Sequence, residues 1–331
     1  MSKLLPTAIV LAAGFGQRLA PLTLQRAKPA VPVAGTPLIL RLLTWLKREG
    51  VRSVVINLHH RPETITSVVG HGDRMGLTIR YSWEPTLLGS AGGPRRALPL
   101  LGSRFLIVNG DSLVDFPLEE LHSAHEANGA LVTLAVQQNH SPAQYGGAIV
   151  DRLGRISRFS GAGHPTARHF VGVQLAESSA FRHLRTDHYA ATIGSLYEEL
   201  ISQRVDAIQA YEVATPFYDV GTPDVYLKTS LKVAAEEGRI ELPIGKGSIV
   251  HPTASLTRTA VWDDVTVGEQ CQLRDCIIGD GVKIPPGTQL DGQIISVSQE
   301  QGSTIDNQNL ASLMVTPITK VLSKTTLRGT T

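Results

Sequence analysis

The sequence predicts an α/β domain on a mostly parallel sheet, followed by a parallel β-helix. Three observations predict it. Strand-like and helix-like segments alternate through the first half. The strand-like runs there are apolar throughout, as in strands covered on both faces. After about residue 240 the helical period vanishes and apolar residues recur at six-residue steps.

Taken in order, Thr7–Ala12 is the first buried strand. Pro37–Glu49 carries Leu38, Leu42, Leu43 and Leu46 at helical spacing and stops at Gly50. Ser53–Leu58 is strand-like, Pro62–Val69 helical, Leu77–Tyr81 extended, and Phe105–Val108 another short apolar run. Leu118–Asn128 is a helix ended by Gly129, and Leu131–Val136 follows as a strand. This order places a ligand crevice at the carboxyl ends of the strands. The six-residue series runs Val261, Val267, Leu273 and then, after a slip of one, Ile278, Ile284, Leu290. That is about three coils, with three short strands per turn. The expected division is an α/β domain over 1–238, a β-helix over 239–296 and a polar tail over 297–331, lightly packed or partly disordered.

Composition narrows the function classes. The chain has 331 residues, 42% hydrophobic and 18% charged, which excludes a largely disordered or fibrous protein. Its 31 Lys and Arg against 29 Asp and Glu leave +2, so no general attraction to nucleic acid or an anionic membrane is implied. Two cysteines, both late in the chain, make no disulfide framework and suit a reducing compartment. No apolar run reaches the ~18–20 residues of a membrane span. Ile9–Ala13 resembles a short signal segment, but Pro6 and a lone Lys3 oppose that reading, so a cytoplasmic protein is expected.

The most informative stretch runs from Leu11 through Ala13, Gly14 and Gly16 to Arg18. Glycines after a buried strand let backbone N–H groups turn toward an anion. Arg18 adds a planar cation for phosphate oxygens, and Lys28-Pro29 a second cation on a stiff turn. A dinucleotide fingerprint would need Gly where Leu19 stands and an acid near Asn57-Leu58-His59. A Walker loop is excluded because Gly247 separates Lys246 from Ser248. A polyphosphate site remains.

The run Leu11–Leu38 (LAAGFGQRLAPLTLQRAKPAVPVAGTPL) resembles the signature of sugar-phosphate nucleotidyltransferases, the nucleotide-sugar pyrophosphorylases. The resemblance spans the first ~235 residues and continues in EPTLLGSAGG (Glu84–Gly93), VNGD (Val108–Asp111) and YDVGTP (Tyr218–Pro223), in the family's order. It implies a Rossmann-like, GT-A-like catalytic domain, and the hexad tract resembles the left-handed β-helix that many members carry. It further implies attack of a sugar 1-phosphate on the α-phosphate of a nucleoside triphosphate, with loss of pyrophosphate. Arg18, Lys28 and Asp111 take the catalytic positions. Leu11, Ala13, Gly14, Gly16, Glu84 and Gly89 take the nucleotide positions, and Asn109, Tyr145 and Gly147 the sugar positions. Asp111 and Asp219 match the Mg²⁺ ligands; taken alone, either reads as a turn or cap residue.

Substrate choice is less sharply marked. The Glu84 carboxylate could accept N–H groups of guanine or uracil, which favours GTP or UTP. The family's Glu-Lys before the sugar strand is replaced by Arg155–Gly161, where Arg158 is a candidate to replace the lysine's charge. Mannose-1-phosphate guanylyltransferases match best. An N-acetylmuramate-1-phosphate uridylyltransferase and a non-catalytic subunit that binds nucleotide sugars are the alternatives. A homo-oligomer assembled through the β-helix is expected. His59-His60, His122/His125 and Cys271/Cys276 are not expected to bind metal, and no Gly-x-Ser-x-Gly elbow is present.

Overall fold

The computed structural model describes residues 5–297 and 313–318. The chain packs as two compact units. The first takes in the chain up to Gly14 together with Ile39–Tyr218, and the second takes in Phe15–Leu38 and the described residues from Asp219 onward.

The first unit is built on a nine-stranded sheet. Its strands are β1 (Ala8–Leu11), β2 (Ser53–Leu58), β3 (Thr78–Trp83), β4 (Arg104–Asn109), β5 (Val132–Gln138), β6 (Gly147–Val150), β7 (Ile156–Ser160), β8 (Arg168–Glu177) and β9 (Ile208–Glu212). The order is β7-β6-β8-β4-β1-β2-β3, with β5 also on β8 and β9 on β5. Strands β3, β2, β1 and β4 are mutually parallel. Strand β8 runs against β4, β5 and β6, and β7 runs against β6. Because β9 is parallel to β5, all strands except β7 and β8 share one direction. The central strands are apolar throughout because both faces are covered: Ile9, Val55, Phe105, Ile107 and Leu134 are buried. Each such side chain contributes about 1.5–3 kcal/mol on leaving water.

Helices α1 (Leu38–Arg48), α2 (Pro62–Val69), α3 (Gly89–Ala97), α4 (Leu118–Asn128) and α5 (Tyr197–Gln203) connect these strands. Their ends follow local chemistry. Pro62 starts α2, where its missing N–H costs nothing, and Gly129 ends α4 in the left-handed region at φ 65°. The histidine pair of α4 is structural. Buried His125 shares hydrogen bonds with Thr133 Oγ1 at 2.8 Å and Glu177 Oε1 at 3.2 Å. Nδ1 of His122 lies 3.8 Å from Glu126.

The second unit joins helix α6 (Pro223–Glu236), capped by Thr222, to the β-helix. Parallel pairing stacks Val250 on Val267 and Val267 on Ile284. One coil is therefore 267 − 250 = 17 residues, and the next 284 − 267 = 17. Two steps of six and one of five make each turn, which explains the slip in the six-residue series. Residues with positive φ recur at the corners with the same period, at Gly247, Asp264 and Gly281 and at Arg258, Asp275 and Gly292. Val261, Val267, Leu273, Ile278 and Ile284 fill the interior with Cys271 and Cys276, both free thiols buried as small hydrophobes. Leu313–Pro317 adds an antiparallel strand to Gln293–Val297 and covers that edge. The rest of the expected tail, 298–312 and 319–331, lies outside the described residues. Among the described residues no helix is long and apolar enough to cross a membrane.

Candidate active site

In the first unit, register collects the strand ends. Leu11 pairs with Asn57 on one side and Asn109 on the other, so β1, β2 and β4 finish together at their carboxyl edge. The Asn57 Oδ1 accepts the Ala12 N–H at 2.6 Å, and Leu11 O accepts the Gly110 N–H at 3.0 Å. Ala12 and Ala13 are buried, whereas Gly14 is exposed and would meet nothing within 4 Å if it carried a Cβ. Asp111 follows β4 and is half-buried, with Ser112 Oγ donating to it at 3.3 Å.

Glu84 has a different part from the one expected. It is 0% exposed. Its Oε1 accepts from Asn57 Nδ2 at 2.7 Å and its Oε2 accepts the Leu88 N–H at 2.9 Å. Burial pushes its pKa up, while these two hydrogen bonds pull it down. With both oxygens engaged inside the protein, the carboxylate reads no base edge directly; it fixes Asn57, which in turn holds the start of the glycine loop. Gly93 is bare where a Cβ would stand 2.6 Å from Glu84 Oε1. Gly89, at φ +78°, would put a Cβ 2.6 Å from Ala190 O. It lets α3 begin against the 188–192 segment, where Ala91 and Gly92 N–H groups donate to Ala190 O at 2.9 and 3.1 Å.

The expected sugar residues of this unit are shaped by close backbone approaches. A Cβ on Gly147 would lie 2.2 Å from Arg168 O. Tyr145 stacks edge-on with His169 at 5.2 Å, and His169 with Phe217 at 4.7 Å. Asn109 packs on Gly172, whose φ of +82° accompanies the shift in β8–β5 pairing between Phe170 and Gln174. Arg158 is exposed on edge strand β7, 3.4 Å from His164 Nε2.

In the second unit, Gly16, Thr23, Lys28 and Asp219 converge. Gly16 takes φ +63°, and a Cβ there would lie 2.8 Å from Thr23 Cγ2 and 3.1 Å from Lys28 Cβ. Thr23 Oγ1 donates to Gly16 O at 3.1 Å. Lys28 is only 6% exposed, and its Nζ stands 3.9 Å from Asp219 Oδ1. Desolvation of such a cation needs an opposing charge, which Asp219 supplies. Gly221 makes room for that carboxylate, since a Cβ would come within 2.8 Å of Oδ2. Arg18 sits in a short 3-10 turn, exposed, with the next residue, Leu19, buried as its anchor.

Asn57 and Gly172 take parts in the site that the sequence does not assign to them. Asn57 was legible only as the residue where a dinucleotide site would have an acid. Gly172 had no local signal, because the need for it comes from Asn109 on another strand.

Two family models match the chain: nucleotidyl transferase over residues 7–236, and the GlmU-like C-terminal hexapeptide over 241–303. The chain belongs to the nucleotidyl transferase family. It is 29% identical over 308 residues to the mannose-1-phosphate guanylyltransferase of Mycobacterium tuberculosis, covering 90% of this chain and 82% of that one. It is 29% identical over 304 residues to the probable mannose-1-phosphate guanylyltransferase 2 of Arabidopsis thaliana, covering 86% and 81%. In fold it is similar to HddC from Yersinia pseudotuberculosis, with a TM-score of 0.61 at 19% identity over 69% of this chain and 100% of that one.

Proposed function

We propose that the protein transfers the guanylyl group of GTP to mannose 1-phosphate, forming GDP-mannose and pyrophosphate. The observation that carries this reading is the buried Lys28 beside Asp219, packed on Gly16 of the glycine loop. The chain-wide likeness to mannose-1-phosphate guanylyltransferases favours the particular substrates.

The sugar phosphate oxygen forms a bond to the α-phosphorus as the bond from that phosphorus to the β-phosphate oxygen breaks. The electron pair leaves with pyrophosphate. The nucleophile is already anionic, so the chain needs no strong base and works through alignment and charge. Gly14 and Gly16 present N–H groups to the phosphates, Arg18 neutralises the departing pyrophosphate, and Lys28 stabilises charge near the reacting phosphorus. Leu11, Ala13 and Gly89 shape the nucleotide side; Asn109, Tyr145 and Gly147 shape the sugar side.

Asp111 and Asp219 would hold Mg²⁺. Their hard carboxylate oxygens suit that ion, and Gly221 leaves room beside the Asp219 carboxylate, where a Cβ would lie 2.8 Å from Oδ2. Bound there, the ion supplies charge neutralisation at the α-phosphate. The reading carries with it a cytoplasmic enzyme that assembles as a homo-oligomer, which sedimentation at micromolar concentration checks.

Pyrophosphate release tests the proposal directly, with the five common nucleoside triphosphates crossed against mannose, glucose, N-acetylglucosamine and N-acetylmuramate 1-phosphates. Preference for GTP with mannose 1-phosphate is expected. Preference for UTP with the muramate substrate would replace it with the uridylyltransferase reading. Binding of nucleotide sugars without turnover would replace it with the regulatory one.

A further inference from the structure

Between Arg18 and Lys28 stands Arg26, a residue with no part in the chemistry above. Its Nε donates to Asp280 Oδ2 at 2.6 Å. One terminal nitrogen donates to both Asp280 Oδ1 and Asp263 Oδ2, each at 2.6 Å. The side chain is 13% exposed, and the guanidinium lies 5.4 Å from the centre of the Trp262 ring. Burial works against the charge, but Asp280 and then Asp263 more than offset it, and the Arg26 pKa is raised. The two aspartates stand one coil apart on the β-helix, 280 − 263 = 17 residues, and Asp280 Oδ1 also accepts the Asp263 N–H at 3.0 Å.

Neighbouring contacts tie the same segment at two more points. Gln25 Nε2 donates to Asp280 O at 3.0 Å, and Gln25 Oε1 accepts the Asp280 N–H at 3.2 Å. Gly279 is bare where a Cβ would stand 2.2 Å from that oxygen. Trp262 Nε1 donates to the Tyr226 hydroxyl at 2.9 Å, and that hydroxyl donates to Pro32 O at 2.7 Å. Lys28 is thus bracketed by attachments at residues 25, 26 and 32, all within the second unit.

We propose that Arg26 with the Asp263–Asp280 ladder is a positioning latch, through which the β-helix sets the geometry of the Arg18–Lys28 segment for phosphate chemistry. The inference rests on the nucleotidyl-transfer reading for its catalytic half. A buried ion pair returns little net stability, because both partners lose water. Its distinctive contribution is geometric: a planar guanidinium fork fits two carboxylates in one arrangement, and an apolar side chain does not.

The test compares the full-length variants R26M and D280N with D275N, which breaks the exposed Arg258–Asp275 pair elsewhere on the β-helix. Backbone hydrogen exchange over residues 16–31 is read alongside steady-state kinetics. In R26M and D280N exchange there is expected to speed up at least about tenfold, by local opening. Their kcat should fall about tenfold to a hundredfold, with KM for the sugar phosphate within about threefold, since misplacement rather than lost sugar contact is the defect. R26K should recover part of the protection, and D275N should change neither reading. Unchanged exchange in both R26M and D280N overturns the latch. Faster exchange with unchanged kcat overturns its catalytic role. Faster exchange in variants of a protein that turns over no substrate pair would uphold the latch and overturn the nucleotidyl-transfer reading. If R26M does not fold, D280N carries the same comparison.

Discussion

Lys28 and Glu84 are both charged residues that folding has removed from water, and their surroundings assign them opposite tasks. Lys28 has the Asp219 carboxylate at 3.9 Å, an opposing charge that offsets the cost of taking the cation out of water. Replacing it with Met preserves the stem and removes the charge. We expect K28M to keep its circular dichroism and lose about 10²- to 10³-fold in kcat, the scale of one preorganised electrostatic contact in a transition state. Pyrophosphate release measures this. Glu84 instead spends both oxygens on N–H donors inside the protein. A Gln at this position has one acceptor and so sets its own NH₂ against Asn57 Nδ2 or the Leu88 N–H. Relief from burying a charge returns part of the loss. E84Q should still destabilise the fold by about 1–3 kcal/mol, the cost of a buried donor left unpaired. Urea unfolding reads it.

At the scale of elements, α4 is pinned to β5 and β8 through His125, whose partners Thr133 and Glu177 lie on those strands. Burial pulls the imidazole pKa below its ordinary value, and the Glu177 hydrogen bond restores only part of it. As pH falls through the ordinary imidazole range, the unfolded chain therefore takes up the proton first. Stability is full above that range and declines as pH falls toward the lowered folded value. H125N should remove this part of the slope between about pH 8 and pH 5, the range where histidine titrates. Unfolding free energies of the two proteins across that interval decide it. The same scale explains α3. Its Gly89 and Gly92 are set by the 188–192 segment, about a hundred residues on in the chain, and its Gly93 by Glu84 and Asn57, not by the helix itself.

For the whole molecule, the division into two units cuts across the sequence. Residues 15–38 belong with the β-helix and α6, although they follow the first strand directly. A chain ended after residue 238 would lose Trp262, Asp263 and Asp280 and with them the attachments of that segment. We expect such a chain to show at least about a hundredfold lower turnover, as misplaced reacting groups do, and rapid exchange over 16–31. Turnover near that of the full chain would show that the signature segment orders itself without the β-helix.

Periodicity and punctuation made much of this protein legible in its sequence. Strand β2 and helices α2 and α4 occupy the predicted spans Ser53–Leu58, Pro62–Val69 and Leu118–Asn128, because apolar runs, a proline start and a glycine stop are local signals. The β-helix and its slip were visible for the same reason, since each coil repeats its own pattern. The nucleotidyl transferase signature was likewise a matter of residue order along one segment. What tertiary structure alone decided was partnership. Glu84 turned inward because Asn57 and the Leu88 N–H were there to meet it, Gly172 was needed because Asn109 lies across from it, and Arg26 became buried because two aspartates more than two hundred residues away close around it. Hydrogen bonds and ion pairs act over a few ångströms of space whatever the separation along the chain, so their partners are fixed only when the chain has folded.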